Sequence, residues 1–185
     1  VACILTIPAS GSECSNSCVI SNETTKRKLG YSSELNRPFM SIIDPTLFAT
    51  LPKHQIANGV SDMISHILER YFSNTLDTEY SDALCEATLR TLIEFGAKVY
   101  NNPDDYDSWC QVAAGTMAHN NVLGVGREQD WACHAMEHVL SAMYDIAHGA
   151  GLAVLTPAWM RYCASYNQKR FLGFAEKVMG VKADT

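Results

Sequence analysis

Four side chains able to bind one metal ion stand in two pairs: Asp62 and His66 in SDMISH, then His134 and His148 in CHAMEHVLSAMYDIAH. An aspartate and a histidine four residues apart on a helix project from one face, so both can grip the same ion. Two later histidines would close the shell. One carboxylate with two or three imidazoles suits a divalent ion such as Fe2+ or Zn2+, and the donor set does not choose between them. No cysteine joins the set, which argues against a closed structural zinc site and for an open position that takes a substrate oxygen. Taken singly, each pair also reads as an ordinary helix-surface pair.

The clustering of histidines strengthens the metal reading. His138 shares a helical face with His134, in an otherwise apolar, small-residue stretch. His148 follows Tyr144-Asp145, where a helix should break, and precedes Gly149-Ala150-Gly151, whose small residues allow the backbone to approach a ligand closely. A second element is TIPASGSE, Thr6 to Glu13, a strand end running into Ser10-Gly11-Ser12. Its hydroxyls and backbone amides could meet a phosphate or ribose, although an ordinary strand-to-loop transition has the same composition.

The elements that must carry these residues change character near residue 50. VACILTIP, SCVIS, KLGYSS and PFMSIID are strand-like runs separated by Gly, Ser, Asn, Thr and Pro clusters. From Thr50, which can cap, and Pro52, which suits a first helical turn, apolar residues recur at helical spacing through Ile56, Val60, Met63, Ile67 and Leu68. This predicts a helix to about residue 72, then helices over about 77–100, 104–121, 127–144, 148–166 and 169–179. The fold class expected is α/β followed by all-α.

At 185 residues with 47% hydrophobic and 18% charged residues, the chain can bury a core. Net charge is -6 and the only basic cluster is Lys26-Arg27-Lys28, which excludes a nucleic-acid stripe or membrane-surface helix and points to a small-molecule partner. No apolar run approaches the roughly 20 residues that span a bilayer, and no signal-like core is present, so a cytoplasmic protein is the expectation. The seven cysteines are dispersed without a CxxC pair, which suits buried thiols in a reducing compartment. The chain opens on Val1, inside a strand-like run, and reads as starting within a longer protein.

Together these residues resemble the iron-containing (group III) alcohol dehydrogenase family, in its branch of butanol dehydrogenases and broad aldehyde reductases. IIDPTLFATLPKHQIANGVSDMISHILE, with Asp44, Pro52, Ala57, Gly59, Asp62 and Glu69, is similar to the family's first signature, and HAMEHVLSAMYDIAHGAG to its second. The resemblance implies Asp62, His66, His134 and His148 as metal ligands and His138 as a residue for substrate contact or proton relay. It implies Thr6, Ser10, Ser12, Lys28 and Leu47 as cofactor-side positions for NADP or NAD, with a lean toward NADP in this branch.

It further implies a dehydroquinate synthase-like architecture: residues 1–50 as the tail of a Rossmann-like nicotinamide domain and residues 51–185 as a helical metal-binding domain, incomplete at its C-terminus. The upstream region that cradles the cofactor diphosphate in the family has no counterpart in these residues. The activity implied is metal-dependent, NAD(P)-linked interconversion of primary alcohols and aldehydes in a full-length protein. Family members are often dimers or larger, so a homodimer is expected. A glycerol dehydrogenase or dehydroquinate synthase-like enzyme, and a truncated non-catalytic metal-binding fragment, are the alternatives.

Overall fold

A computed structural model describes residues 1–121 and 123–182, with the side chains of 117–121 outside the description. Four strands come first: β1 (Ala2–Leu5), β2 (Ser17–Asn22), β3 (Arg27–Ser32) and β4 (Met40–Ile43). β1 and β4 pair in parallel from Ala2–Met40 to Leu5–Ile43, whereas β2 and β3 form an antiparallel hairpin running from Ser17–Ser32 to Asn22–Arg27. The hairpin turns with Lys26 in the left-handed region, φ 51°, and with the Thr25 amide donating to Asn22 Oδ1 at 2.9 Å. Six helices follow: α1 (Lys53–Tyr71), α2 (Glu79–Asn101), α3 (Tyr106–Asn121), α4 (Ala132–Tyr144), α5 (His148–Cys163) and α6 (Gln168–Lys177).

α1 is the axis of the molecule. Its neighbours are α2, α3, α4 and α5, and from Ser65 to Tyr71 every residue is buried. A helix buried on most of its faces can hold polar groups only where partners meet them, which makes Asp62, His66, Glu69 and Arg70 informative. Ile56, Met63, Ile67, Leu89, Leu92 and Trp109 are at most 2% exposed and form the main core. Leu5 and Phe48 belong to the same core, Phe48 packing edge-on against Trp109 at 5.5 Å. The change from strands to helices near residue 50 therefore does not interrupt the packing.

Two starting points differ from the sequence pattern. Thr50 does not cap α1; Pro52 occupies the cap position and the helix begins at Lys53. α4 begins at Ala132 rather than Arg127, because the residues before it are bonded to α1 and α2. The buried Arg127 guanidinium donates to Arg70 O at 2.8 Å and to Ser81 Oγ at 2.9 Å, and the Asp130 amide donates to Glu69 O at 3.0 Å. Asp130 Oδ1 then accepts the Ala132 amide at 2.9 Å, a local bond that favours starting a helix there.

No helix among the described residues is long and apolar enough to cross a membrane. All seven cysteines are free thiols, but only Cys85 and Cys133 are buried; the other five are half-buried.

Candidate metal centre

Asp62 lies on the third turn of α1, and its Oδ1 is where the four expected ligands meet. His66 Nδ1 lies 3.0 Å from it, His134 Nε2 3.6 Å and His148 Nε2 3.7 Å. α1 supplies the first two residues one turn apart, α4 supplies His134 on its first turn, and α5 supplies His148 as its first residue. α5 can bring His148 this close because Gly149 packs against α1: a Cβ there would lie 2.0 Å from Asn58 O. At Gly149 the lack of a side chain thus permits a close approach to the backbone of α1.

Two atoms at the centre are buried without a hydrogen-bond partner, Asp62 Oδ1 and His134 Nε2. An orphaned carboxylate oxygen facing an orphaned imidazole nitrogen costs free energy in a folded chain, and a shared cation removes that cost. The donor set is also chemically apt, since oxygen and imidazole nitrogen are ligands for divalent Fe or Zn. Asp62, His66 and His134 present ligand atoms within 4.8 Å of one another, as do Glu137, His138 and His148 beside them. Asp62 Oδ1 links the two sets through His148.

Two fully buried glutamates stand behind the histidines. Glu69, two turns along α1 from Asp62, accepts the backbone amides of Cys133 and His134, and its Oε2 meets His134 Nδ1. Glu137 Oε2 meets His148 Nδ1. With Nδ1 of each ring directed at a carboxylate, the Nε2 atoms face Asp62, the arrangement common behind metal-bound histidines. Trp131 walls the centre, edge-on to His66 at 5.5 Å and to His134 at 5.1 Å, with the Arg70 guanidinium 4.7 Å from its ring.

These contacts push the titrating groups apart. Burial alone would raise the Asp62 carboxyl, but the charge of His66 and the closeness of the His134 and His66 rings hold it far below the usual carboxylate range. Burial opposes protonation of His134, yet the neighbouring Asp62 and Glu69 carboxylates outweigh that and carry it up to about 9. His148 goes down, chiefly through burial. His138, half-buried with its ring 5.4 Å from that of His148, is pushed down to about 4 by burial and by the charges of Lys28 and His148.

The expected cofactor-side residues come from three different elements. Thr6, Ser10 and Ser12 are exposed on the loop after β1. That loop touches α1, where a Cβ on Gly59 would lie 2.5 Å from Pro8 O. Leu47 is partly exposed on the short 3-10 turn Pro45–Phe48, which Asp44 caps through Thr46 N at 3.0 Å. Lys28 reaches furthest: from β3 its Nζ lies 3.4 Å from Glu137 Oε2 and 3.4 Å from His148 Nδ1.

Sequence reasoning assigned no role to Glu137, Glu69 or Trp131. Glu69 carried a usable signal, since two helical turns from Asp62 return it to the same face. Glu137 offered only its charge in an apolar stretch. A groove of about 430 Å3 between α1, α2 and α5 is lined by Ile64, Leu68, Tyr100 and Met160 and contains none of the four ligands.

The family model described as "Fe-containing alcohol dehydrogenase family, C-terminal" matches residues 55–185. The NADH-dependent butanol dehydrogenase A of Clostridium acetobutylicum is 42% identical over 183 residues, 98% of this chain and 47% of that protein. The NADPH-dependent aldehyde reductase YqhD of Escherichia coli is 37% identical over 182 residues, again 98% and 47%. The crystal structure of the NADH-dependent butanol dehydrogenase A from Thermotoga maritima superposes with TM-score 0.96 at 44% identity, over 100% of this chain and 46% of that one. The chain thus spans about half the length of the relatives it matches.

Proposed function

The chain belongs to the iron-containing alcohol dehydrogenase family, and we propose that the protein it forms reduces aldehydes to primary alcohols, and oxidises them in reverse, with a nicotinamide cofactor and a divalent metal. The carrying observation is the convergence of Asp62, His66, His134 and His148 on one point, with Asp62 Oδ1 and His134 Nε2 buried and unpartnered. Relatives named for NADH-dependent butanol dehydrogenase and NADPH-dependent aldehyde reductase activities support the substrate class and leave both nicotinamides in play.

Asp62, His66, His134 and His148 would hold the ion, either Fe2+ or Zn2+. When bound, such an ion supplies Lewis-acid polarisation of the substrate oxygen. The chain's own residues do the rest. Glu69 and Glu137 hold two imidazoles with Nε2 facing Asp62, and Trp131 keeps water from one side. His138, neutral near pH 7, can accept a proton at one ring nitrogen while donating from the other, which suits substrate contact or a proton relay. Thr6, Ser10, Ser12, Lys28 and Leu47 would face the nicotinamide, with Lys28 reaching Glu137 and His148 at the metal centre. Residues 1–50 then serve the cofactor side and 51–185 the metal side. A cytoplasmic homodimer acting on a small alcohol or aldehyde completes the reading.

The test uses the full-length protein with butanal and each reduced nicotinamide. Asp62→Ala and His148→Ala should each lose bound metal and aldehyde reduction together; retention of both in either variant would remove that residue from the ligand set.

A further inference from the structure

Glu137 is fully buried, and its bonds lead to three parts of the chain. Oε1 accepts from Ser141 Oγ one turn along α4. Oε2 faces His148 Nδ1 at the start of α5 and Lys28 Nζ on the hairpin. Lys28 Nζ and His148 Nδ1 are 3.4 Å apart, and an ammonium has no lone pair to accept with, so with a proton on Nδ1 the two are donors sharing one acceptor.

We propose that Glu137 is a positioning residue that holds His148 with its proton on Nδ1 and its lone pair on Nε2, and that, through Lys28 on the same oxygen, it pins the β2–β3 hairpin beside the metal centre. The proposal rests on the reading of His148 as a metal ligand. A neutral imidazole has two tautomers, and only the one with Nε2 unprotonated offers the atom that lies 3.7 Å from Asp62 Oδ1. A carboxylate at Nδ1 selects that tautomer and raises the basicity of Nε2. Lys28 balances the buried negative charge and is itself only 15% exposed, so the hairpin strand must stay seated to provide it.

The space for this carboxylate is kept open by α5. A Cβ on Gly151 would lie 2.8 Å from Glu137 Cγ and 2.9 Å from Oε1, so alanine there displaces the glutamate without altering any charge. Gly149 and Gly151 thereby have separate tasks: the first brings α5 against α1, the second accommodates the residue that orients His148.

The test is made on the full-length protein with Co2+ as probe, reading affinity by chelator competition, the visible absorption of the bound ion, and hydrogen exchange of the amides of residues 17–32. Glu137→Gln, nearly equal in shape, should weaken Co2+ binding by about 10- to 100-fold, shift the absorption, and speed exchange in the hairpin. Lys28→Met should speed exchange in the hairpin, and Gly151→Ala should weaken Co2+ binding as Glu137→Gln does. Gly151→Ala carries the metal part of the test if Glu137→Gln fails to fold. His148→Ala separates the two levels. If it loses Co2+ affinity while Glu137→Gln keeps the wild-type affinity and spectrum, the positioning role is overturned and the ligand reading stands. If His148→Ala binds Co2+ like the wild type, the ligand reading fails and the positioning role with it.

Discussion

At the scale of single residues, the centre separates groups by protonation. Asp62 is held ionised and His148 is pushed down, while His134 stays protonated up to about pH 9 in the metal-free chain. A metal entering at His134 Nε2 must displace that proton. Apparent affinity should therefore rise with pH, by about tenfold per unit for each proton released, and level off near pH 9. Chelator competition from about pH 6 to about pH 9 measures this slope. A flat profile would mean that His134 is not protonated in the free centre or does not bind the ion. The ligand types were legible in the sequence because Asp62 and His66 announce themselves by helical spacing. The partners of Glu137 were not, since His148 and Lys28 come from other elements and meet it only in the fold.

At the scale of elements, the spacing of apolar residues marked α1 and α2, where a buried stripe imposes a 3.6-residue period, and start and stop residues marked the four helices after them. The start of α4 escaped that rule: Arg127 to Trp131 are fixed by long-range bonds that no local period encodes. The same bonds finish α1. Arg127 takes Arg70 O, Arg170 takes Tyr71 O at 2.7 Å, and both guanidinium groups converge on Asp82. Burial would raise the Asp82 carboxyl, but hydrogen bonds from Arg127 and Arg170 outweigh it and hold it below the usual aspartate range. A carboxyl lowered in the folded state stabilises above its unfolded pKa, and that stability is lost as pH falls through the lower folded value. Asp82→Asn should cost about 1–2 kcal/mol at neutral pH. The difference from wild type should shrink in acid, as denaturant midpoints at several pH values would show. An unchanged gap would separate Asp82 from the acid response.

At the scale of the molecule, residues from strands and helices share one core, and the centre lies where α1, α4 and α5 meet with the hairpin alongside. The β-to-α order was legible from the change of period near residue 50; the continuity of Leu5 and Phe48 with the helical core was not, since a single apolar residue at a strand end or in a 3-10 turn carries no address. The architecture matches that of the Thermotoga maritima butanol dehydrogenase over the whole chain. One measurement addresses the centre most directly: anomalous diffraction at the metal edge from the full-length protein loaded with Zn2+ or Fe2+. A single ion is expected, with Asp62, His66, His134 and His148 each contributing an atom at about 2.0–2.2 Å. An ion held instead by Glu137, His138 and His148, or no ordered ion after loading, would contradict it.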